Sequence, residues 1–296
     1  MKALEECGKI AVDALEFSRT VVKEGAPLLD AAERIEQVIK GGGFELSFPV
    51  NISINEKAAH YTPSIDDKSV FRKNDLVKVD VGARKGDALS DCAITIDLSG
   101  ENSQMVNAAE MALEEAISLV KAGRKVCEIG SAIERVAKAA GFRPIQNLGG
   151  HGIEKEELHS GMFIPNFDNN DDSELKEGDV ISIEPFITNG YGHVDETDDV
   201  QIYQLTGGAL PRSQEARSIL ELVAAKYLTY PFAIRWISRE LNSMSDFKVR
   251  RGIAELLSLG AIEPFPVLVE REKGLVAQAE RQLVVGKDSC TVITKL

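Results

Sequence analysis

Four acidic residues in this sequence stand at or near the ends of strand-like runs. Asp80 closes LVKVD, Asp91 opens DCAITIDL, Glu184 closes VISIE and Glu280 lies within LVAQAERQLVV. Of only four histidines, His60 in AAHYTP, His151 in LGGHGI and His159 in ELHSGMFIPN fall in glycine- or proline-marked stretches that read as loops or strand ends, and His193 lies in GYGHVDE. Taken singly, each reads as a surface group or a satisfied core group. Taken together they suggest a donor set, because carboxylates with a single imidazole suit hard or borderline cations such as manganese, iron, cobalt or zinc. Two such ions ~3.5–4 Å apart need acids that bridge them.

The elements that must position these groups are legible in part. VDVGARKGDALSDC, residues 79–92, reads as the turn of a β-hairpin with Val77, Val79 and Val81 on one face of its first arm and Cys92, Ile94, Ile96 and Leu98 on one face of its second. A two-residue turn at Lys85-Gly86 predicts that Asp80 faces Asp91 directly, with Cβ atoms about 4.5–5.5 Å apart, which is unfavourable for like charges. Cations held between them would reverse the sign; a solvated, screened hairpin face is the simpler alternative. An internal echo supports a site. Asp75–Asp80 (DLVKVD) and Asp179–Glu184 (DVISIE) each open with an acid, follow a charged turn and end on an acid, as expected if two copies of one half-domain each deliver a carboxylate.

Elsewhere, residues 3–23 and 28–40 predict two amphipathic helices, and two more end at Gly123 and Gly141. Strand-rich sequence occupies 47–55, 76–98, much of 142–203 and the last thirty or so residues, and three helical segments lie between about 212 and 260. The 296 residues and 44% hydrophobic content allow a sizeable core. A net charge of -13 and a pI near 4.9 argue against general affinity for nucleic acid or anionic membrane. Cys7, Cys92, Cys127 and Cys290 show no CxxC spacing, so neither a disulfide framework nor a thiolate zinc site is expected, and a cytoplasmic setting fits. There is no signal-peptide pattern or apolar run of membrane-spanning length. HExxH, P-loop and GxSxG motifs are lacking, and DNNDDSELKEGD departs from a calcium loop at Ser173 and Asp179.

In order along the chain, NISINEKAAHYTP, VDVGARKGDALSDCAITIDL, NLGGHGIEKEELHSGMFIPN, ISIEPF, PFAIRW, FPVL and VAQAERQLVV resemble segments of the pita-bread metallopeptidases, and among these the type II methionine aminopeptidases of archaeal and eukaryotic kind. The resemblance implies an α+β pita-bread fold with two pseudo-two-fold halves. It implies a catalytic domain over 1–203 and 263–296 and a helical, winged-helix-like insertion over 204–262. It also implies metal ligands at Asp80, Asp91, His151, Glu184 and Glu280, with Asp91 and Glu280 bridging two divalent ions (Co, Mn, Fe or Zn). His60, His159 and Glu184 become the catalytic groups, and Phe48, Leu158, Phe186 and Phe265, with the two histidines, bind substrate.

The activity so implied is removal of the initiator methionine by a metal-bridged hydroxide, in a cytoplasmic monomer acting on nascent polypeptides near the ribosome, with no specific nucleic acid or membrane partner. A proline-directed peptidase and a non-enzymatic binding protein of the same fold are the alternatives. Two residues depart from the family pattern: Ala279 stands where an aromatic is usual and Arg281 where a histidine is usual. Support of Glu280 is therefore in question, and His193 has no assigned role.

Overall fold

The computed structural model describes residues 1–208 and 210–296. Its centre is an antiparallel sheet in the order Glu157–Pro165, Gly149–Glu154, Val180–Ile183, Glu280–Val285, Cys92–Asp97, Leu76–Val81, Asn51–Ile54, with Cys290–Val292 also paired to Glu280–Val285. Helices α1 (Lys2–Val21) and α2 (Leu28–Gly41) lie under the half containing Leu76–Val81, burying Ala11, Leu15, Ile35 and Ile39 in one core with Ile52, Val77, Val79 and Ile94. Helices α3 (Ser103–Leu119) and α4 (Val126–Ala139) pack under the other half, where Ala109, Leu113, Ile129 and Ile133 share a core with Ile181, Ile183 and Leu283. Each helix presents its apolar residues at three- and four-residue spacing, so burial of that stripe selects the helix.

The two halves meet where Glu280 pairs with Ala93 and Arg281 with Cys92. The echo in the sequence has a counterpart in hydrogen bonding. The Arg72 N–H donates to Asp75 Oδ2 at 2.7 Å while the Asp75 N–H donates to the Arg72 carbonyl at 3.1 Å. Lys176 and Asp179 repeat both bonds at the same lengths. The same turn therefore launches both strands, and five residues later each reaches its acid, Asp80 or Glu184.

The hairpin register corrects one expectation. Asp80 pairs with Ala93, and the register continues through Arg84 with Leu89 and Lys85 with Ala88. The turn is thus Gly86-Asp87, not Lys85-Gly86; Gly86 takes φ 60°, and a hairpin favours glycine at that first central position. Asp91 consequently lies opposite Gly82 and diagonal to Asp80. A side chain at Gly82 would put its Cβ 2.5 Å from both Phe48 Cε1 and the Ser90 carbonyl, so glycine there leaves room beside Asp91. The two acids still share a face, since the error moves the partner by two positions.

Between Val194–Leu205 and Ile262–Glu270, which pair with one another, the chain forms α5 (Gln214–Lys226), α6 (Ile234–Glu240) and α7 (Asp246–Ser258). A buried polar knot ties α6 to α2. Arg235 forms an ion pair with Glu36 and donates to Thr62 Oγ1 at 2.5 Å, and Trp236 Nε1 donates to both Glu36 oxygens at 3.1 and 3.0 Å. With Glu36 only 3% and Arg235 only 2% exposed, removing one partner leaves an uncompensated buried charge. Glu36→Ala is expected to lower unfolding free energy in urea by about 3–5 kcal/mol. A loss below about 1 kcal/mol would mean that the knot contributes little.

Candidate metal centre

Each candidate ligand is fixed by the sheet. Asp80 is the fifth residue of Leu76–Val81, Asp91 immediately precedes Cys92–Asp97, Glu280 opens Glu280–Val285 and Glu184 follows Val180–Ile183. His151 sits on Gly149–Glu154 opposite Ser182. That strand approaches closely because Gly150 lacks a side chain, whose Cβ would fall 2.1 Å from the Ser182 carbonyl. One donor atom each from Asp91, His151 and Glu280 lies within 4.8 Å of the others, and all three residues are buried. His151 Nε2 is 3.4 Å from Asp91 Oδ2 and 3.9 Å from Glu184 Oε1.

The electrostatics of this cluster are unfavourable without a cation. Burial raises the pKa of Asp80, Asp91, Glu184 and Glu280, and repulsion adds to it: Asp91 acts on Asp80, and the neighbouring acids act on Glu184 and Glu280. Asp80 Oδ1 and Glu280 Oε2 are buried without hydrogen-bond partners. Orphaned acceptors among four crowded acids and one imidazole fit a divalent metal ion, which supplies the missing positive charge.

Every site residue expected from the sequence lines one cavity. His60, Phe48, Leu158, Phe186 and Phe265 share its wall with the five candidate ligands and His159. The His60 ring meets Phe265 edge-on with centroids 5.5 Å apart, and the rings of His151 and His159 lie 4.4 Å apart. His60 has φ 64°, a left-handed conformation unusual for a side-chain-bearing residue, and its Nδ1 lies 3.1 Å from the Pro266 carbonyl. Burial lowers the His60 pKa, so its imidazole is neutral and Nδ1 is the protonated donor. His159 opens to solvent on one side, yet the protein around the rest, with His151 and His60 nearby, holds its pKa well below the usual value.

Three supporting groups were missed from sequence. The Ser182 hydroxyl donates to Glu280 Oε1 at 2.5 Å, Gln278 Nε2 donates to Glu184 Oε2 at 3.2 Å, and Asn51 joins the cavity wall. Two of them carried a readable signal: Ser182 and Gln278 stand two residues before Glu184 and Glu280, the spacing that places strand neighbours on one face.

Arg281 turns away from the carboxylates. Its guanidinium donates to the carbonyls of Ala93 and Glu280 at 3.2 and 2.6 Å and pairs with Glu110. It thereby braces the backbone that carries Glu280. Ala279 is buried in the core over α3 and α4, and His193 does not line the cavity.

Comparison with known proteins adds an independent line. Residues 2–205 match the model of metallopeptidase family M24. A methionine aminopeptidase of Pyrococcus horikoshii is 41% identical over 293 residues, 99% of this chain and 98% of that protein. The structure of a thermophilic Arx1 superposes with a TM-score of 0.86 at 18% identity, covering 99% of this chain and 90% of the other. A methionine aminopeptidase from Thermotoga maritima gives 0.72 at 20% identity, covering 100% and 96%. The two structural matches carry the fold alone.

Proposed function

The chain belongs to metallopeptidase family M24, with archaeal-type methionine aminopeptidases as its full-length relatives, and from this we propose that it removes the initiator methionine from nascent proteins and peptides. The observation that carries the reading is the convergence of four acids, Asp91 and Glu280 buried and Asp80 and Glu184 partly so, and of His151 on a cavity walled by Phe48, Leu158, Phe186 and Phe265. We assign the holding of two divalent ions to Asp80, Asp91, His151, Glu184 and Glu280, of which Asp91 and Glu280 stand beside the junction of the two halves. When bound, such ions polarise a scissile carbonyl and bring the pKa of water near neutrality.

The chain's own groups do the rest. Glu184, oriented by Gln278, relays a proton to the leaving amine. His60, its Nδ1–H committed to Pro266, presents Nε2 as an acceptor for the N–H of the first peptide bond. His159, kept neutral, offers an N–H to the substrate carbonyl oxygen as negative charge develops there. The aromatic walls suit an unbranched, polarisable thioether side chain. Nascent chains would be met beside the ribosome. Among the described residues no helix is long and apolar enough to cross a membrane.

The test is to strip metal with chelator, restore Mn, Fe, Co or Zn singly, and compare Met-Ala-Ser with Ala-Pro. Cleavage of Met-Ala-Ser only after metal is restored, with saturation at two ions per chain, is the expected result. Turnover of Ala-Pro without Met-Ala-Ser would replace the methionine assignment with a proline-directed one.

A further inference from the structure

One polar group in the cavity wall has no task in the mechanism above. Asn51 is 5% exposed, and its Nδ2 donates to the Pro49 carbonyl at 2.8 Å, which fixes the amide's orientation. Its Oδ1 is then left buried without a donor. Asn51 pairs with Asp80 across neighbouring strands, so its side chain stands beside that acid on the face that carries the ligands. An acceptor buried in the cavity wall calls for a group that brings it a polar hydrogen, since an unmet buried acceptor is costly. The methionine thioether cannot supply it, because its sulfur is only a weak acceptor. A primary amine can: even with its lone pair engaged elsewhere it retains two N–H donors.

We propose that Asn51 Oδ1, beside Asp80, accepts a hydrogen bond from the free α-amino group of the substrate. Asn51 is thus a specificity-determining residue that selects an unblocked amino terminus. An N-acylated end has one N–H in place of two and adds bulk beside Asn51. This inference rests on the methionine reading and deepens it.

The experiment measures calorimetric binding of L-methionine and of 4-(methylthio)butanoate, the same molecule without its amine, to metal-loaded wild type, Asn51→Leu and Asn51→Ala. Metal affinity is titrated separately without ligand. The expected result is that both variants lose roughly ten- to a hundredfold in affinity for L-methionine, the range for a hydrogen bond to a charged or polarised group. Binding of the amine-free acid and of metal should be unchanged. Equal weakening of both acids would reduce Asn51 to a pocket-shaping role, and a drop in metal affinity would make it a metal ligand; either overturns the inference. Wild-type affinity for L-methionine in both variants would do so as well. If wild type neither binds L-methionine nor cleaves Met-Ala-Ser, the failure lies with the methionine reading itself.

Discussion

Asp91→Ala is expected to abolish turnover of Met-Ala-Ser and metal-induced thermal stabilisation together. Asp91 lies beside the junction of the two halves, its Oδ2 3.4 Å from His151 Nε2, and it contributes a donor atom to the cluster with His151 and Glu280. Losing a group that orients a ligand costs roughly 10–100-fold in affinity or activity. Losing a donor of the cluster itself should exceed that. The isosteric Asp91→Asn carries a second, opposite expectation. In the metal-free protein Asp91 raises the pKa of Asp80, Glu184 and Glu280, so neutralising it should stabilise the apo fold by on the order of 1 kcal/mol. A variant that loses activity but melts lower than wild type in chelator would show that Asp91 is chiefly structural. Full activity of Asp91→Ala would end the dinuclear scheme.

Most of the site's donors could be read in the sequence because strand alternation and the Asp75/Asp179 echo are local patterns. Their partners depend on the fold. Choosing the hairpin turn one residue early put Asp80 opposite Asp91 when it stands opposite Ala93; glycine suits the second position of a type I′ turn as well as the first of a type II′ turn, so Gly86 alone leaves the register open. The order of the central sheet joins strands nearly 190 residues apart, as with Cys92 and Arg281, and no local periodicity encodes such a pairing. The Glu36–Arg235 pair is 199 residues apart in sequence, equally beyond the reach of helical periodicity. Ser182 and Gln278 could be placed on the acids' face by their two-residue spacing, but that spacing does not say which acid each meets, and Asn51 has no such neighbour: a neutral polar residue in a strand has the same pattern whether it faces solvent or an acid.

The thermal gap between metal-loaded and chelator-treated protein is expected to widen as pH rises from about 4 to 8. Asp80, Asp91, Glu184 and Glu280 have native pKa values raised by burial, and Asp80, Glu184 and Glu280 further by neighbouring acids, above the unfolded values of about 3.9 and 4.3. Over that interval the native apo protein retains protons that the unfolded chain has released. Its stability from these groups is therefore full below the unfolded pKa and is lost as pH rises through the raised native ones. Metal acts in the other sense. It needs ionised carboxylates and neutral imidazole, so its affinity grows with pH, and at a hundredfold excess over Kd it adds about 2.7 kcal/mol. Glu270, outside the site, behaves oppositely. Glu270, held low despite burial by the N–H groups of Gly274, Gly192 and Glu272, loses its stabilising effect as pH falls. That contribution is common to both forms and cancels in the difference. Differential scanning calorimetry at matched ionic strength isolates the site: a gap that stays level or narrows toward alkaline pH would mean that metal does not replace protons on these four acids.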